Sequence, residues 1–167
     1  MGLIYPISKY NDRDFVALIN TLRESAYNRA RGKIGVTNIV DRNLRPSDLG
    51  LTTNEWTFNV AAGENEIVNH TLDDKTLILI YGIYNLSTDP QVTEVKFGTP
   101  ANTIEDVYIE DMYMYDYPGV ILATPVVFEP GKTILIKAVA KGANTAEKLG
   151  FLGIVIEPAG RNIGTTA

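Results

Sequence analysis

The chain has 167 residues, of which 45% are hydrophobic and 21% charged, enough for one well-buried domain and too few for two. The absence of cysteine excludes disulfides, thiolate metal sites and cysteine nucleophiles. We expect no membrane helix, which needs about 18 consecutive apolar residues, and no secretory signal, because no basic stretch precedes a long apolar run. The net charge of −5 divides unequally. Residues 1–50 carry eight Lys/Arg against five Asp/Glu, whereas residues 51–167 carry seven against fifteen.

An amphipathic helix is predicted near the start of the chain. Asn11 or Asp12 can cap it, and the apolar spacing i, i+3, i+4, i+7 predicts a helix over residues 12–29 that ends before Gly32. A single amphipathic helix cannot bury its apolar stripe alone. We therefore expect the stripe to pack on the β body, on a second copy or on a partner, and our working hypothesis is packing within an oligomer. The stripe consists of Phe15, Leu18, Ile19 and Leu22.

The segment 30–53 is basic and has no sustained apolar period. A compact domain rarely contains a loop of about 20 residues unless the loop is functional or a linker. We therefore predict an extended arm that becomes ordered by lying along an acidic protein surface. Nucleic acid is not expected, because the pI is near 4.9 and no aromatic residues alternate with the basic ones. The candidate docking residues are Arg29, Arg31, Lys33, Arg42 and Arg45.

From residue 54 onward the sequence is typical of β structure. Eight or nine short apolar runs, separated by turn signals, predict a mainly β antiparallel sandwich, and a jelly roll fits eight strands best. In the central stretch Gly119–Lys141, the sequence Glu-Pro-Gly-Lys predicts a type II-like turn, and the two flanking apolar runs predict a hairpin. The predicted organisation is a helix and docking arm (1–53), a sandwich body (54–158) and a C-terminal tail (159–167).

The stretch 105–117 combines five acidic residues with four tyrosines, Tyr108, Tyr113, Tyr115 and Tyr117, and contains no basic residue. The slightly longer segment Thr103–Tyr117 is predicted to form one long or two short strands. Clustered carboxylates can bind Ca²⁺, but the stretch lacks an Asp-x-Asp-x-Asp-Gly loop. The tyrosines can instead form a contact surface for protein or sugar, or alternate into the sandwich from a solvated strand.

No motif for catalysis, metal binding or nucleotide binding is present. The sole histidine, His70, has no identifiable triad or metal-binding partners. We therefore predict a protein that is not an enzyme and that needs no cofactor or metal.

The order of parts, a capped helix, a basic arm and an acidic jelly-roll-like body, resembles virion structural proteins of tailed bacteriophages. The similarity is to the small head-decoration or cement proteins. It implies a non-enzymatic homo-oligomer, often a trimer, that is made in the host cytoplasm. Such a protein docks on a capsid lattice through its N-terminal arm and stabilises or decorates the lattice. The alternative is a carbohydrate- or receptor-binding sandwich of a fibre or secreted protein, which would bind through Tyr108–Tyr117.

Overall fold

The computed structural model describes residues 2–35 and 38–160, and in these residues the chain forms eleven strands and two α-helices. Short 3-10 turns occur at Ile7–Lys9 and Pro46–Leu49. The helices are α1 (Asp12–Ala30) and α2 (Glu110–Met114). The strands are β1 (Ile4–Pro6), β2 (Ile39–Asn43), β3 (Phe58–Val60), β4 (Gly63–Thr71), β5 (Leu77–Asn85), β6 (Val92–Gly98), β7 (Thr103–Tyr108), β8 (Gly119–Phe128), β9 (Thr133–Ala140), β10 (Asn144–Glu147) and β11 (Leu149–Pro158).

Two antiparallel sheets form a sandwich. One sheet has the order β1-β8-β5-β11-β2, the other has the order β4-β9-β6-β7, and β3 pairs with β10 as a small third sheet. Without β1, the orders β2-β11-β5-β8 and β4-β9-β6-β7 are those of a jelly roll. The predicted antiparallel sandwich is therefore confirmed.

The main core lies between the two sheets. Strand β9 shows the predicted alternation, with Ile134 and Ile136 buried between half-buried neighbours. The rings of Trp56 and Phe97 both meet Phe151 edge to face, with centroids 5.5 and 5.6 Å apart. Edge-to-face contacts between buried rings add to the free energy gained from area burial alone.

Helix α1 covers the outer face of the five-stranded sheet. The side chain of Asn11 accepts a hydrogen bond of 2.8 Å from the backbone N–H of Asp14, which confirms the predicted cap and helix. Leu22 is 7% exposed and packs in the same cluster as Leu79 and Ile156 of the sheet. The predicted stripe is covered by the chain's own sheet, and for Leu22 the expectation of burial in an oligomer is wrong. The other stripe residues are partly buried in that cluster: Phe15, Leu18 and Ile19.

The segment predicted to be an extended arm is folded into the sandwich. Strand β2 pairs with β11, with Ile39 opposite Pro158, and Leu49 is only 1% exposed in the main core. Strand β1 pairs with β8 in the same sheet. Residues before 54 therefore supply two of its five strands. The physical reason is that β11 offers a free backbone edge, which β2 satisfies by a pairing distant in sequence.

The stretch Gly119–Lys141 contains the predicted turn but not the predicted hairpin. The N–H of Lys132 donates to the carbonyl of Glu129 at 3.2 Å, and Gly131 has φ +80°, as a type II-like turn requires. However, β8 pairs with β1 and β5, whereas β9 pairs with β4 and β6. The turn therefore carries the chain from one sheet to the other.

The acid-tyrosine stretch is also not a continuous strand. Strand β7 ends at Tyr108 and is followed by the single helical turn of α2. Tyr113 lies in this helix, whereas Tyr115 and Tyr117 lie in the turn and loop that follow it. The three tyrosines therefore do not alternate across a sheet, and that part of the prediction is wrong. No helix in residues 2–35 and 38–160 is long and apolar enough to cross a membrane.

Candidate docking surface

A buried carboxylate organises the end of the sandwich where β5 ends and β8 begins. Glu147 is fully buried, and its carboxylate accepts hydrogen bonds from Asn85 Nδ2 at 2.7 Å, Gln91 N at 3.0 Å and Asn144 Nδ2 at 2.8 Å. A buried charge is tolerated only when such donors replace its hydration. Glu147 thereby fixes the loop that joins β5 to β6.

Tyr113 connects this loop to the segment that follows β7. Its hydroxyl donates to the carbonyl of Val92 at 2.6 Å and accepts from Asn85 Nδ2 at 3.0 Å. Burial raises the pKa of Tyr113 far above its ordinary value of 10.0, so the phenol stays neutral and remains a donor. The loops 86–91 and 109–118 are thus held against each other by one buried hydrogen-bond network.

These two loops expose large apolar side chains to solvent. Leu86 is 61% exposed, Met114 75% and Tyr115 66%. Both loops also carry exposed acidic residues, and a cleft between the loops is lined by both. We call this region the loop-end surface. It comprises Leu86, Met114, Tyr115, Asp89, Asp111 and Asp116.

Two of the predicted contact tyrosines lie side by side at this surface. The rings of Tyr115 and Tyr117 stack with centroids 5.8 Å apart and planes 28° apart, beside a groove between α2 and β1. Tyr108 is 38% exposed, and its hydroxyl donates to Glu110, a hydrogen bond that raises the pKa of Tyr108. Of the four predicted tyrosines, the structure therefore uses Tyr113 inside the network and leaves the others at or near the surface.

Arg42 is not available to a partner, contrary to the sequence prediction. It donates two hydrogen bonds to Asp48, at 2.7 and 2.8 Å, and two to Glu157, at 2.8 and 3.3 Å. The hydrogen bonds to Asp48 are the largest cause that raises the pKa of Arg42 above its ordinary value. Arg45 lies 4.0 Å from the same Asp48 carboxylate. The sequence could not reveal this cluster, because Arg42 and Glu157 are 115 positions apart.

The other predicted basic residues lie together where α1 ends. Arg29 and Arg31 are exposed, and the Arg31 guanidinium lies 5.9 Å above the ring of Tyr27. Lys33 pairs with Glu129 at 2.8 Å, which lowers the pKa of that carboxyl, and the Lys33 side chain is still 48% exposed. We call Arg29, Arg31 and Lys33 the basic helix end.

Sequence reasoning identified the acid-tyrosine stretch, which contains four of the six residues of the loop-end surface, but it missed Leu86, Asp89 and the network beneath the surface. Leu86 is a single leucine in an otherwise polar loop, and this pattern could have predicted an exposed apolar side chain. Nothing in the sequence near Glu147 indicates that its carboxylate is buried. Among the described residues, no group of three His, Asp or Glu side chains is arranged to hold a metal ion.

No protein-family model matches the chain, and no curated protein matches it. Among solved structures, the chain is similar to one from "Bacillus endospore appendages form a novel family of disulfide-linked pili". The two share 14% sequence identity over 73% of this chain and 88% of that chain, with a TM-score of 0.37. A likeness at this TM-score supports no argument about function.

Proposed function

We propose that this protein is a non-enzymatic virion structural protein that docks on a capsid lattice and stabilises or decorates it. The observation that carries the proposal is the loop-end surface, where three large apolar side chains are each more than 60% exposed. Exposed apolar clusters rimmed by polar residues mark protein interfaces. The buried network holds the loops in place before binding, so little ordering entropy remains to be lost.

The virion as the setting is supported by the part of the resemblance to small decoration proteins of tailed bacteriophages that the structure leaves in place, a capped helix followed by an acidic jelly-roll body. Jelly rolls also occur in viral shells, although lectins use the same architecture. Docking through a free N-terminal arm loses its basis, because residues 39–43 form a strand of the body. We therefore assign the assembly interface to the loop-end surface.

The proposal is tested by co-sedimentation with particles from the cells that produce the protein. The chain should band with the particles at a fixed ratio to their main shell protein. The double variant Met114→Ser/Tyr115→Ser should lose at least tenfold in occupancy. The matched control is Leu3→Ser/Tyr5→Ser, which removes two exposed apolar side chains from β1 and its flank and should remain bound. A wild-type chain that stays at the top of the gradient would overturn the proposal.

A second candidate is a carbohydrate- or receptor-binding module. The stacked rings of Tyr115 and Tyr117 favour it, because they lie beside a cleft lined by the polar side chains of Asn85, Ser87 and Thr88. A glycan array distinguishes the two candidates. Specific glycan binding that Tyr117→Ala abolishes would support this module, and an array without signal would count against it.

A further inference from the structure

We infer that the loop-end surface binds the basic helix end of a second copy of this chain, so that copies join head to tail. The inference rests on the proposed function and names the occupant of the interface assigned above: on the particle, the loop-end surface joins neighbouring copies of this chain to one another rather than contacting the shell protein itself. It follows from the charges of the two surfaces, their separation within one chain and the side chains available at each.

The two surfaces carry opposite charge. The loop-end surface contains three exposed acidic residues on the same two loops as its apolar side chains: Asp89, Asp111 and Asp116. Two basic residues lie at this end: Lys141, which is 4.0 Å from Glu110, and the exposed Lys148, whose backbone is hydrogen-bonded to Leu86 and Ser87. The three exposed aspartates still outnumber them. The basic helix end presents three cations, of which Lys33 has an acidic partner and still keeps half of its side chain in solvent. Complementary charge guides two surfaces together and fixes their register.

The two surfaces cannot meet within one chain. Strand β8 begins directly after the loop 109–118 and ends at Phe128, next to the Glu129 that pairs with Lys33. Its ten residues span about 30 Å at roughly 3.3 Å per residue. A contact between unlike surfaces at opposite ends of a molecule is heterologous, and it repeats from copy to copy into a ring or a row.

Apolar and charged groups contribute differently to this contact. Exposed ion pairs contribute little free energy each, so the charges alone cannot hold two copies together. Met114 and Tyr115 supply the apolar area, and aromatic residues are enriched at such interfaces. The Arg31 guanidinium is positioned over Tyr27 and can stack a second aromatic ring on its other side. The acidic residues then select the basic helix end over other surfaces.

Charge reversal on the purified full chain tests the inference by sedimentation velocity over a concentration series at low salt. Wild type should associate, and added salt should weaken the association. Asp89→Lys/Asp111→Lys and Arg29→Glu/Arg31→Glu should each weaken it at least tenfold. The protein with all four substitutions should associate again, because the two charges are then exchanged. Glu24→Lys/Glu55→Lys is the control for the change in charge, at exposed positions outside both surfaces, and should leave the association unchanged.

Several results would overturn the inference. A wild-type protein that remains monomeric at every concentration would overturn it. An Arg29→Glu/Arg31→Glu variant that associates as well as the wild type would also overturn it, because the contact would then join like surfaces or involve another region. A folded four-substitution protein that stays monomeric would also do so, with thermal unfolding as the check on folding. A chain that bands with particles but never self-associates overturns this inference alone. A chain that self-associates but does not band with particles overturns only the proposed function.

Discussion

Glu147 and Glu157 are two buried glutamates whose charges are balanced in different ways. Glu147 is fully buried and accepts only from amide N–H groups in the described structure, including those of Asn85 and Gln91. Glu157 is 3% exposed and pairs with the guanidinium of Arg42, which also binds Asp48. One carboxylate therefore depends on oriented dipoles, and the other depends on a cation.

The difference determines what each glutamate stabilises. Amide donors are directional, so Glu147 specifies the path of the loop that carries Leu86. The ion pair instead joins two distant segments, because Arg42 lies on β2 and Glu157 on β11. We expect damage to Glu147 to act first on the loop-end surface, and damage to Arg42 to act on the stability of the whole sandwich.

Removing the Arg42 guanidinium should lower the free energy of unfolding more than the other substitutions described below. Arg42→Met leaves Glu157 buried and Asp48 mostly buried without their main partner, and breaking a buried pair in this way costs about 3 kcal/mol. The free energy of unfolding, measured with urea at neutral pH, should fall by that amount. Methionine retains the apolar stem of the arginine side chain, so loss of packing along the stem contributes little.

Arg23→Met is the matched control for that change. Arg23 also pairs with an aspartate, Asp41, at 2.6 Å, but its side chain is 44% exposed, so its removal should cost much less than the removal of Arg42. Adding Glu157→Gln to Arg42→Met should recover part of the lost stability. Equal costs for Arg42→Met and Arg23→Met would contradict the role given to burial.

Changing Glu147 to its isosteric amide should have an intermediate effect. Glu147→Gln keeps the shape but turns one acceptor atom into a donor that faces other N–H groups. An unsatisfied buried donor costs about 1–3 kcal/mol. Hydrogen exchange should show faster exchange at the amides of Gln91 and Val92, both of which donate to Glu147 in the wild type.

Glu55→Gln is the control for loss of a negative charge, because Glu55 is exposed. It should leave both stability and exchange unchanged. Protection that is lost uniformly through the sheets in Glu147→Gln, rather than first in the loop, would contradict the local role of Glu147.

The sequence predicted the parts of this fold that local signals determine. Helix α1 was predictable because its cap and apolar period lie within one short segment. The turn at Glu129–Lys132 was predictable because Pro and Gly restrict the backbone directly. The sheet that the next strand joins was not predictable, because a turn type does not specify whether the chain folds back or crosses the sandwich.

The candidate site was less predictable for the same physical reason. The basic residues from Arg29 to Arg45 look alike in sequence, yet Arg42 is held by Glu157, 115 positions away, while Arg29 remains exposed. The tyrosines were recognised as contact residues. The loop holding Leu86 was not, because its position depends on Glu147, 61 residues further along the chain.

A third carboxylate, that of Glu94 on β6, is balanced neither by amide donors nor by a strong cation, and changing it should alter the stability of the protein least. Its strongest neighbour is another acid, Asp106 on β7, and a hydrogen bond to that side chain is the main cause that raises the pKa of Glu94 above 4.5. Burial and repulsion by Asp106 act in the same direction, whereas Lys96 opposes them. The folded state therefore holds the Glu94 proton more tightly than the unfolded chain does. This contribution to stability is complete below pH 4.5 and is lost as the pH rises through the raised pKa.

Glu94→Gln should therefore stabilise the protein at neutral pH by a few tenths of a kcal/mol, and the gain should disappear below pH 4.5. Asp41→Asn provides the opposite case, since the hydrogen bond from Arg23 lowers the pKa of Asp41 below 3.8. Loss of the Asp41 carboxylate should destabilise the protein at neutral pH. The difference in stability between Asp41→Asn and the wild type should vanish as the pH falls through that lowered pKa. Urea unfolding of both variants and the wild type, repeated from neutral pH down to acidic pH, measures both differences in stability. If Glu94→Gln were instead destabilising at neutral pH, attraction to Lys96 would outweigh repulsion by Asp106, and Glu94 would behave like the cation-paired Glu157.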